Sequence, residues 1–371
     1  MFFIDKYVPV KMEDHKITDV KTDDNVLRLN RVFFNQDILK KLEKISKDDS
    51  IPHIVFYGPE GSGKKTLIKL FLEMIYDSSV NKIVETKYNV SGSGNSVTEV
   101  GIKQSNFHIV IEPNNNNFDR YLIQDVVKEY AKRMPLNIFA TKKVFKTVLI
   151  NNVDKLSYYA QTSLRRTMEK YSGTCRFIMW CRSLSKVIDP LISRCLSFRI
   201  ASQTDSEVLE YILKICYKEK INISFEKIQK IIETSDCNIK KILWRLELYK
   251  NGFDYETSYE ETIKLICRYL LIGKVEAFLS IRDLLYRVMI TNIDGTNIIR
   301  NIVEELIKTD TIDDVSKFKI IRNSAIQEHN LIQGRREIIH LEPFIQSTLK
   351  IIYHAKKLKR AEKKKKDKSL N

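Results

Sequence analysis

The chain has 371 residues, of which 43% are hydrophobic, and a formal net charge of +16 at pH 7. This length is sufficient for two or three domains, each with its own core. No apolar run approaches the length of a transmembrane helix, and Asp5 comes too early for a signal peptide, so we expect no membrane partner. Because the charge is strongly positive, the composition favours a polyanionic partner.

Neither the cysteines nor the histidines show a metal-binding or disulfide-rich spacing. The six cysteines contain no C-x-x-C pair, and the six histidines contain no H-E-x-x-H spacing. This pattern favours reduced intracellular thiols and predicts no protein-bound metal. Cys195 has no histidine near it in the sequence and is interpreted as a packing residue. The cysteines are Cys175, Cys181, Cys195, Cys216, Cys237 and Cys267.

The first strong pattern along the chain is an apolar strand, a glycine-rich loop and a helix. His53–Tyr57 is the predicted strand, and Leu67–Ile75 is the helical run. Glycines let successive backbone N–H groups surround a phosphate, and the helix N-terminus adds partial positive charge. The pattern predicts a phosphate-binding loop, with a plain glycine turn as the alternative. The loop reads Gly58-Pro59-Glu60-Gly61-Ser62-Gly63-Lys64-Lys65-Thr66.

One residue of this loop departs from the motif. Lys64 occupies the position of the phosphate-binding lysine, but the next residue is Lys65 where active NTPases have a hydroxyl that ligates Mg²⁺. Thr66 does not restore the hydroxyl, because one helical step turns it about 100° away. Since a cation cannot ligate a cation, we expect bound nucleotide with weak or absent Mg²⁺.

Residues 53–200 alternate apolar runs with helical patterns, which predicts a parallel sheet covered by helices. Trp180 ends one of these runs and is interpreted as a core residue. After residue 200 the strand patterns stop, and helical patterns cover 205–248 and 259–353. The further predicted strands are His108–Glu112, Lys146–Ile150, Cys175–Trp180 and Leu196–Ile200, and the helices between them are Tyr121–Arg133 and Ser157–Tyr171.

The last residues form a lysine-rich segment. Lys356–Asn371 holds nine Lys/Arg and two acidic residues, and therefore supplies +7 of the net charge. Such low-complexity charge predicts a disordered tail. It either stays solvated, or adds non-specific DNA affinity or a nuclear import signal.

Four separated stretches match the motifs of one family in the same order. They are Phe3–Pro9 (W-x-[ED]-K-Y-R-P), Ser163–Tyr171 (A-L-R-R-T-M-E-x-Y), Ser185–Cys195 (S-K-I-I-x-P-I-x-S-R-C) and Leu331–Phe344. Together they resemble the small subunits of replication factor C, the AAA+ clamp loader of eukaryotes. The last stretch and the G-K-K-T ending, Gly63–Thr66, are most similar to the subunit type numbered 3 in animals and 5 in yeast.

The resemblance implies a domain order and a set of partners. An α/β AAA+ P-loop nucleotide-binding domain with a parallel sheet would span 1–200, a small helical lid domain 201–252, an α-helical clamp-loader collar domain 253–355, and the tail 356–371. The implied partners are the other subunits of a hetero-pentamer, a sliding clamp of the proliferating-cell nuclear antigen type, and primer–template DNA. The implied location is the nucleus, or a cytoplasmic viral replication compartment if the source is a large DNA virus.

Three further positions depart from the ATPase residues of the family. An active loader has an acidic pair after the strand Lys146–Ile150, where this chain has Asn151 and Asn152, and the family's Asn after the next strand is Arg182. Asn neither attracts Mg²⁺ nor accepts a proton from water, and loss of a general base costs about 10²–10⁴-fold in rate. We therefore expect ATP or ADP to be bound and little hydrolysed. The alternatives are an active DNA-dependent ATPase subunit and a DNA- or clamp-binding scaffold without nucleotide.

The resemblance also implies roles between subunits. Arg194 of the S-R-C motif would act as an arginine finger on the neighbouring subunit's ATP, and the alternative is a surface arginine. Arg165 and Arg166 would lie at the subunit interface and couple DNA contact to the ATP sites. For them the alternative is salt bridging with Glu169.

Other implied contacts concern the nucleotide base and DNA. Tyr7 and Pro9 would border the adenine or serve as a packing anchor, and Lys240 would replace an arginine of the helical domain without its bidentate fork. Arg120, in an N-D-R-like segment, and the loop Ser91–Gly94 would approach DNA phosphates. For Arg120 the alternative is an ion pair with a nearby acidic side chain, that of Asp125 or Glu129.

Overall fold

A computed structural model describes residues 2–7, 34–91, 97–113, 119–132, 145–253, 258–274, 276–291, 293–334 and 336–369. The chain divides into two compact units, Met1–Phe253 and Asp254–Asn371. The described part of the first unit contains a sheet with helices, and the described part of the second is helical.

The first unit contains a seven-stranded sheet. Its strands are β1 (His53–Tyr57), β2 (Val84–Ser91), β3 (Val97–Gln104), β4 (His108–Ile111), β5 (Lys146–Ile150), β6 (Cys175–Cys181) and β7 (Cys195–Arg199). The strand order is β2-β3-β4-β5-β6-β1-β7. From β4 to β7 all neighbours are parallel, whereas β3 pairs antiparallel with both β2 and β4.

The predicted α/β sheet is confirmed, with one correction: the sheet is mixed, not all parallel. The β2–β3 hairpin was not predicted because its strands are largely exposed and charged, so they lack the apolar run of a buried strand. The central strands are buried on both faces. Val55, for example, packs with Val148 on one face, whereas Ile54 and Phe56 pack with Phe71 on the other.

Ten helices of the first unit are described. They are α1 (Phe3–Lys6), α2 (Gln36–Lys47), α3 (Lys64–Tyr76), α4 (Asp119–Leu122), α5 (Lys128–Lys132), α6 (Tyr158–Lys170), α7 (Asp189–Ile192), α8 (Asp205–Glu219), α9 (Phe225–Ser235) and α10 (Ile239–Lys250). A π-helical segment, Ile123–Val127, joins α4 to α5. The single helix predicted for this stretch is therefore wound irregularly.

Five helices make up the described part of the second unit. They are α11 (Ser258–Ile272), α12 (Ala277–Ile290), α13 (Gly295–Lys308), α14 (Asp314–Gln333) and α15 (Ile338–Ser369). They enclose an apolar core that includes Ile266, Ile302 and Phe344. Within the described residues, no helix combines the length and hydropathy needed to cross a membrane.

The structure corrects one expectation about the tail. Helix α15 continues to Ser369, so residues 356–369, predicted to be disordered, are helical. Lys, Arg, Glu and Ala, which fill most of this segment, all have high helix propensity. They extend a helix whose first part is anchored in the core by Phe344 and Ile352.

Candidate nucleotide site and interface residues

The glycine-rich loop joins the carboxyl end of β1 to the amino end of α3. Gly61 and Gly63 have φ angles of +80° and +87°, in the left-handed region that favours glycine. The side chain of Lys64 turns into the loop, where its Nζ donates to the carbonyl oxygens of Gly58 at 2.7 Å and Pro59 at 2.5 Å. A loop backbone of this shape with an ammonium inside it, at a helix N-terminus, fits the phosphates of a nucleotide.

Three side chains form a row beside this loop. The register pairs Ile111 with Ile150 and Ile150 with Met179, so the next residues, Glu112, Asn151 and Trp180, lie side by side at the ends of β4, β5 and β6. Asn151 Nδ2 donates to Glu112 Oε1 at 2.7 Å, and Trp180 Nε1 donates to Asn151 Oδ1 at 2.7 Å. Asn151 is 5% exposed, and both of its amide atoms are used in the row.

Lys65 completes this arrangement from the first turn of α3. Its Nζ lies 5.3 Å from the centre of the Trp180 ring, and the Nζ of Lys64 lies 5.6 Å from the same centre. Both distances suit cation–π contacts. Burial lowers the pKa of Lys65; the Glu112 carboxylate opposes this shift and the ammonium of Lys240 adds to it. Of the two loop lysines, Lys240 thus acts on Lys65.

The residues present do not fit a Mg²⁺ site. Lys65 and Asn151 stand where the metal would need a hydroxyl and a carboxylate, and neither offers an anionic oxygen. The carboxylate beside Asn151, that of Glu112, already accepts a hydrogen bond from it. Among the described residues, no group of three or more His, Cys, Asp or Glu side chains is arranged to hold a metal ion.

Arg182 also reaches the loop from the end of β6. Its guanidinium forms an ion pair with Glu60 at 3.1 Å, and its backbone N–H donates to the Asp154 carboxylate at 3.4 Å. Asn152, the second residue of the predicted degenerate pair, is half-buried and has φ of +47°, which Asn tolerates better than most residues. Arg182, Asn151 and the loop thus lie together, as the sequence indicated.

The helices that follow the sheet contact the loop directly. Asn238 caps α10, and its Oδ1 accepts from the backbone N–H groups of Lys240 at 3.1 Å and Lys241 at 3.4 Å. The same Oδ1 lies so close to Gly61 that a Cβ there would stand 2.1 Å from it. Sequence reasoning missed this contact, because Asn238 and Gly61 are far apart along the chain.

Tyr7 is held by the helices that follow the sheet. Its hydroxyl donates to Glu219 Oε1 at 2.5 Å, and Lys6 and Lys250 also contact this carboxylate at 2.5 Å and 2.6 Å. Hydrogen bonds from Lys250, Lys6 and Tyr7 lower the pKa of Glu219 to about 2. These contacts agree with a packing anchor, and the adenine contact of Tyr7 stays a prediction. Pro9 lies outside the described residues.

Arg194 belongs to a charged group near the amino ends of the parallel strands. Its Nη2 lies 2.6 Å from Glu169 Oε1, and its Nη1 donates to the carbonyl oxygen of Pro190 at 2.5 Å. Arg165 Nε lies 3.7 Å from the same Glu169 oxygen, whereas Arg166 is exposed on the next position of α6. Glu169 thus joins Arg194 and Arg165. The sequence offered a Glu169 ion pair as the alternative for Arg165 and Arg166, but not for Arg194.

The register fixes where Arg194 lies relative to the loop. His53, the first residue of β1, pairs with Cys195, and Tyr57, the last, pairs with Arg199. Arg194 therefore precedes β7 at the amino edge of the parallel strands. Because the glycine-rich loop follows Tyr57, it lies at the carboxyl edge.

The predicted DNA contacts are less defined. The guanidinium of Arg120 is exposed and lies 5.9 Å from the ring centre of Tyr159 at the start of α6. Ser91 ends β2, and residues 92–96 lie outside the described residues. The DNA roles of Arg120 and of this loop stay predictions. All six cysteines are free, and burial raises the pKa of the Cys195 thiol to about 12, in agreement with a packing residue.

The mostly parallel sheet, the phosphate loop after β1 and the helices behind it define a nucleotide-binding protein of the AAA+ class. A family model described as DNA polymerase III, delta subunit, matches residues 34–204. A second model, described as Replication factor C subunit 3, C-terminal domain, matches residues 260–356.

Individual relatives agree with these models. The chain is 37% identical to a protein described as a replication factor C small subunit in Acanthamoeba polyphaga mimivirus, over 94% of this chain and 90% of the relative. It is 32% identical to Replication factor C subunit 3 of Arabidopsis thaliana, over 87% and 94%. It is 31% identical to Replication factor C subunit 3 of Homo sapiens, over 85% and 91%. The chain belongs to the replication factor C subunit family.

Proposed function

We propose that this chain is a nucleotide-holding subunit of a replication factor C clamp loader that hydrolyses its own nucleotide little or not at all. It donates Arg194 to the ATP of a neighbouring subunit. The assembly uses ATP to place a sliding clamp of the proliferating-cell nuclear antigen type on primer–template DNA. The partners are therefore other replication factor C subunits, the clamp and DNA, in the nucleus or in a viral replication compartment.

The position of Arg194 carries this proposal. It lies at the amino edge of the sheet, and the chain's own phosphate loop lies at the carboxyl edge, one strand length away. A five-residue strand spans about 16 Å, so Arg194 does not reach the chain's own nucleotide. An exposed arginine in this place can instead act on a nucleotide held by a neighbour, where a guanidinium stabilises the charge of phosphoryl transfer.

The weak hydrolysis follows from the row beside the loop. In-line attack on the γ-phosphate needs a base for water and a metal for the phosphate charge. Asn151 is committed to Glu112 and Trp180, and Asn152 has no proton-accepting carboxylate. The motif glycines and Lys64 of the loop, in contrast, are all present, which supports nucleotide binding and speaks against a scaffold without nucleotide.

The test is Arg194→Ala in the reconstituted complex. We expect ATP turnover at the neighbouring site to fall by about 10³-fold or more, and clamp loading to fall with it. Lys170→Ala is a matched control, because Lys170 is an exposed cation on the last turn of α6 near the same surface. Turnover equal to that of the unchanged complex would reject the arginine finger.

A second arm measures hydrolysis by the full chain alone. We expect nucleotide to bind while turnover stays close to the background without protein. Turnover comparable to that of an active AAA+ subunit would favour the alternative, a catalytically competent ATPase.

A further inference from the structure

The function proposed above gives Lys65 no role of its own, and gives Glu112 and Trp180 only that of holding Asn151. We propose that Lys65 is a built-in counter-ion for the phosphates of the bound nucleotide and acts in place of Mg²⁺. The row Glu112–Asn151–Trp180 holds its ammonium beside the loop. The site then takes metal-free nucleoside di- or triphosphate, and this inference rests on the proposed nucleotide site.

Lys65 is positioned beside the loop by its neighbours in the chain and in space. It directly follows Lys64, whose ammonium lies inside the loop, and both ammonium groups lie over the face of one indole ring, that of Trp180. The ring face is negatively polarised, so it draws a cation toward the edge of the loop. The ring itself is 9% exposed and packed against the sheet, which gives Lys65 a fixed support.

Other cations lie near the two lysines of the loop. Lys240 repels the ammonium of Lys65 and Arg182 repels that of Lys64, whereas the Glu112 carboxylate attracts Lys65. Burial lowers the pKa of Lys64, and partial loss of water also lowers the pKa of Lys65, although Lys65 as a residue is exposed. A polyphosphate beside these ammonium groups offsets both the repulsion from the neighbouring cations and the lost hydration. The local charge is therefore arranged for an anion that brings no cation of its own.

The row of Glu112, Asn151 and Trp180 also excludes an acidic metal ligand at position 151. The amide of Asn151 donates to Glu112 and accepts from Trp180 at the same time. An aspartate in its place still accepts from Trp180, but it sets a second carboxylate oxygen against that of Glu112. The row thus needs an amide at position 151, and it removes the anion that draws Mg²⁺ to such a loop.

These contacts predict how affinity depends on Mg²⁺. Mg²⁺ enters and leaves with the nucleotide, whereas the charge of Lys65 is part of the protein. We therefore expect the affinities for ADP and for ATP to agree within about threefold between excess Mg²⁺ and EDTA. A loop that needs Mg²⁺ to neutralise the phosphates instead loses affinity in EDTA.

The experiment is calorimetric titration of the full chain with ADP and with ATP, in Mg²⁺ and in EDTA. Lys65→Met removes the charge and keeps much of the side-chain volume, and we expect it to weaken binding at least tenfold in EDTA. Lys69→Met is the matched control, because Lys69 is an exposed cation one turn further along α3, and we expect a change below threefold. Lys65→Arg keeps the charge and should stay within a few-fold of the unchanged chain.

The outcomes separate this inference from the proposed function. Binding by the unchanged chain that weakens tenfold or more in EDTA overturns the counter-ion role of Lys65, while the nucleotide site itself stands. Equal affinity of Lys65→Met and the unchanged chain in EDTA overturns it as well. A folded chain that binds no nucleotide in either buffer refutes the proposed nucleotide site, and the inference with it.

Discussion

At the scale of single residues, Asn151 links the neighbouring side chains of Glu112 and Trp180. A carboxylate and an amide have nearly the same shape, yet an amide alone can donate to Glu112 while it accepts from Trp180. A buried group that loses its partner costs about 1–3 kcal/mol. The two hydrogen bonds therefore stabilise the row, and both depend on an amide at position 151.

Asn151→Asp should destabilise the first unit by about 1–3 kcal/mol at pH 8, because it removes the donor to Glu112 and brings two carboxylates together. Burial and Glu112 raise the pKa of the new carboxyl above its value in the unfolded chain. The loss is therefore greatest above that raised pKa and becomes smaller as the pH falls through it, when a protonated Asp again donates to Glu112. Thermal unfolding of both chains at pH 8 and pH 5 measures this.

The control combines Asn151→Asp with Glu112→Gln, which restores a donor and removes one carboxylate. We expect this double variant to unfold close to the unchanged chain at both pH values. If Asn151→Asp itself unfolds with the unchanged chain at pH 8, the hydrogen bond between Asn151 and Glu112 does not contribute to stability.

At the scale of elements, the phosphate loop follows strand β1 and contacts the start of α10. The cap residue Asn238 lies against Gly61, so the start of α10 is in contact with the loop. The glycine at position 61 is needed for two reasons, its φ of +80° and the lack of space for a side chain.

Gly61→Ala and Gly63→Ala separate these two reasons. Both glycines have left-handed φ angles, +80° and +87°, so both variants carry a similar backbone strain. An alanine Cβ at Gly61 would meet Asn238 Oδ1 at 2.1 Å, whereas one at Gly63 would meet nothing within 4 Å. We expect Gly61→Ala to lose about 1–3 kcal/mol more in free energy of unfolding.

Chemical denaturation of the two variants tests the difference. Adding Asn238→Gly to Gly61→Ala removes the clash at a cost of only a few tenths of a kcal/mol for the weaker cap, and should restore most of the stability. Equal losses of free energy of unfolding in Gly61→Ala and Gly63→Ala would mean that Asn238 leaves space for a Cβ at position 61.

At the scale of the whole molecule, the net positive charge lies in the first unit and at the end of α15, since residues 254–355 hold 13 Lys/Arg and 15 acidic residues. Residues 358–371 carry seven Lys/Arg and two acidic residues. Ile352, which precedes this segment on the same helix, is 2% exposed and belongs to the core of the second unit. The basic end of the helix thus extends a packed helix, and we expect its charge to serve DNA binding more than folding.

Removal of residues 358–371 should weaken binding to duplex DNA and leave thermal stability within about 0.5 kcal/mol. The slope of log affinity against log salt should become less negative by about 0.9 for each phosphate that the shortened chain no longer neutralises. Fluorescence anisotropy with labelled primer–template DNA across a salt series measures the affinity and its salt dependence, and thermal unfolding measures the stability. A full-length chain with the seven Lys/Arg changed to Gln is the control for length. If the shortened chain and the chain with Gln both keep the salt slope of the unchanged chain, the tail is merely solvated and does not bind DNA.

Much of the fold could be predicted from local patterns. β1 and β5 match their predicted bounds, and Ser157 caps α6 where the sequence indicated a helix start. Buried strands and amphipathic helices leave periodic apolar patterns that depend on few long-range contacts. The β2–β3 hairpin leaves no such pattern, because it lies at the edge of the sheet and most of its side chains face water.

The candidate site divides in the same way. The loop, Asn151, Asn152, Arg182 and Arg194 could be found in the sequence, because each interrupts or completes a motif with fixed spacing. Glu112 and Trp180 could not, since in the sequence one is a plain strand end and the other a core residue. Their role depends on the register that sets β4, β5 and β6 side by side.

Local sequence was enough to establish the class of the protein: a phosphate loop with a lysine where a hydroxyl belongs, two asparagines where carboxylates belong, and an S-R-C arginine. The chemistry of those features follows from residue type. The folded chain was needed to establish that Asn151 is locked between Glu112 and Trp180, that Lys65 lies over that indole, and that Arg194 lies at the opposite edge of the sheet from its own loop. Strand register and helix placement, which arise from packing between distant segments, bring these groups together or keep them apart.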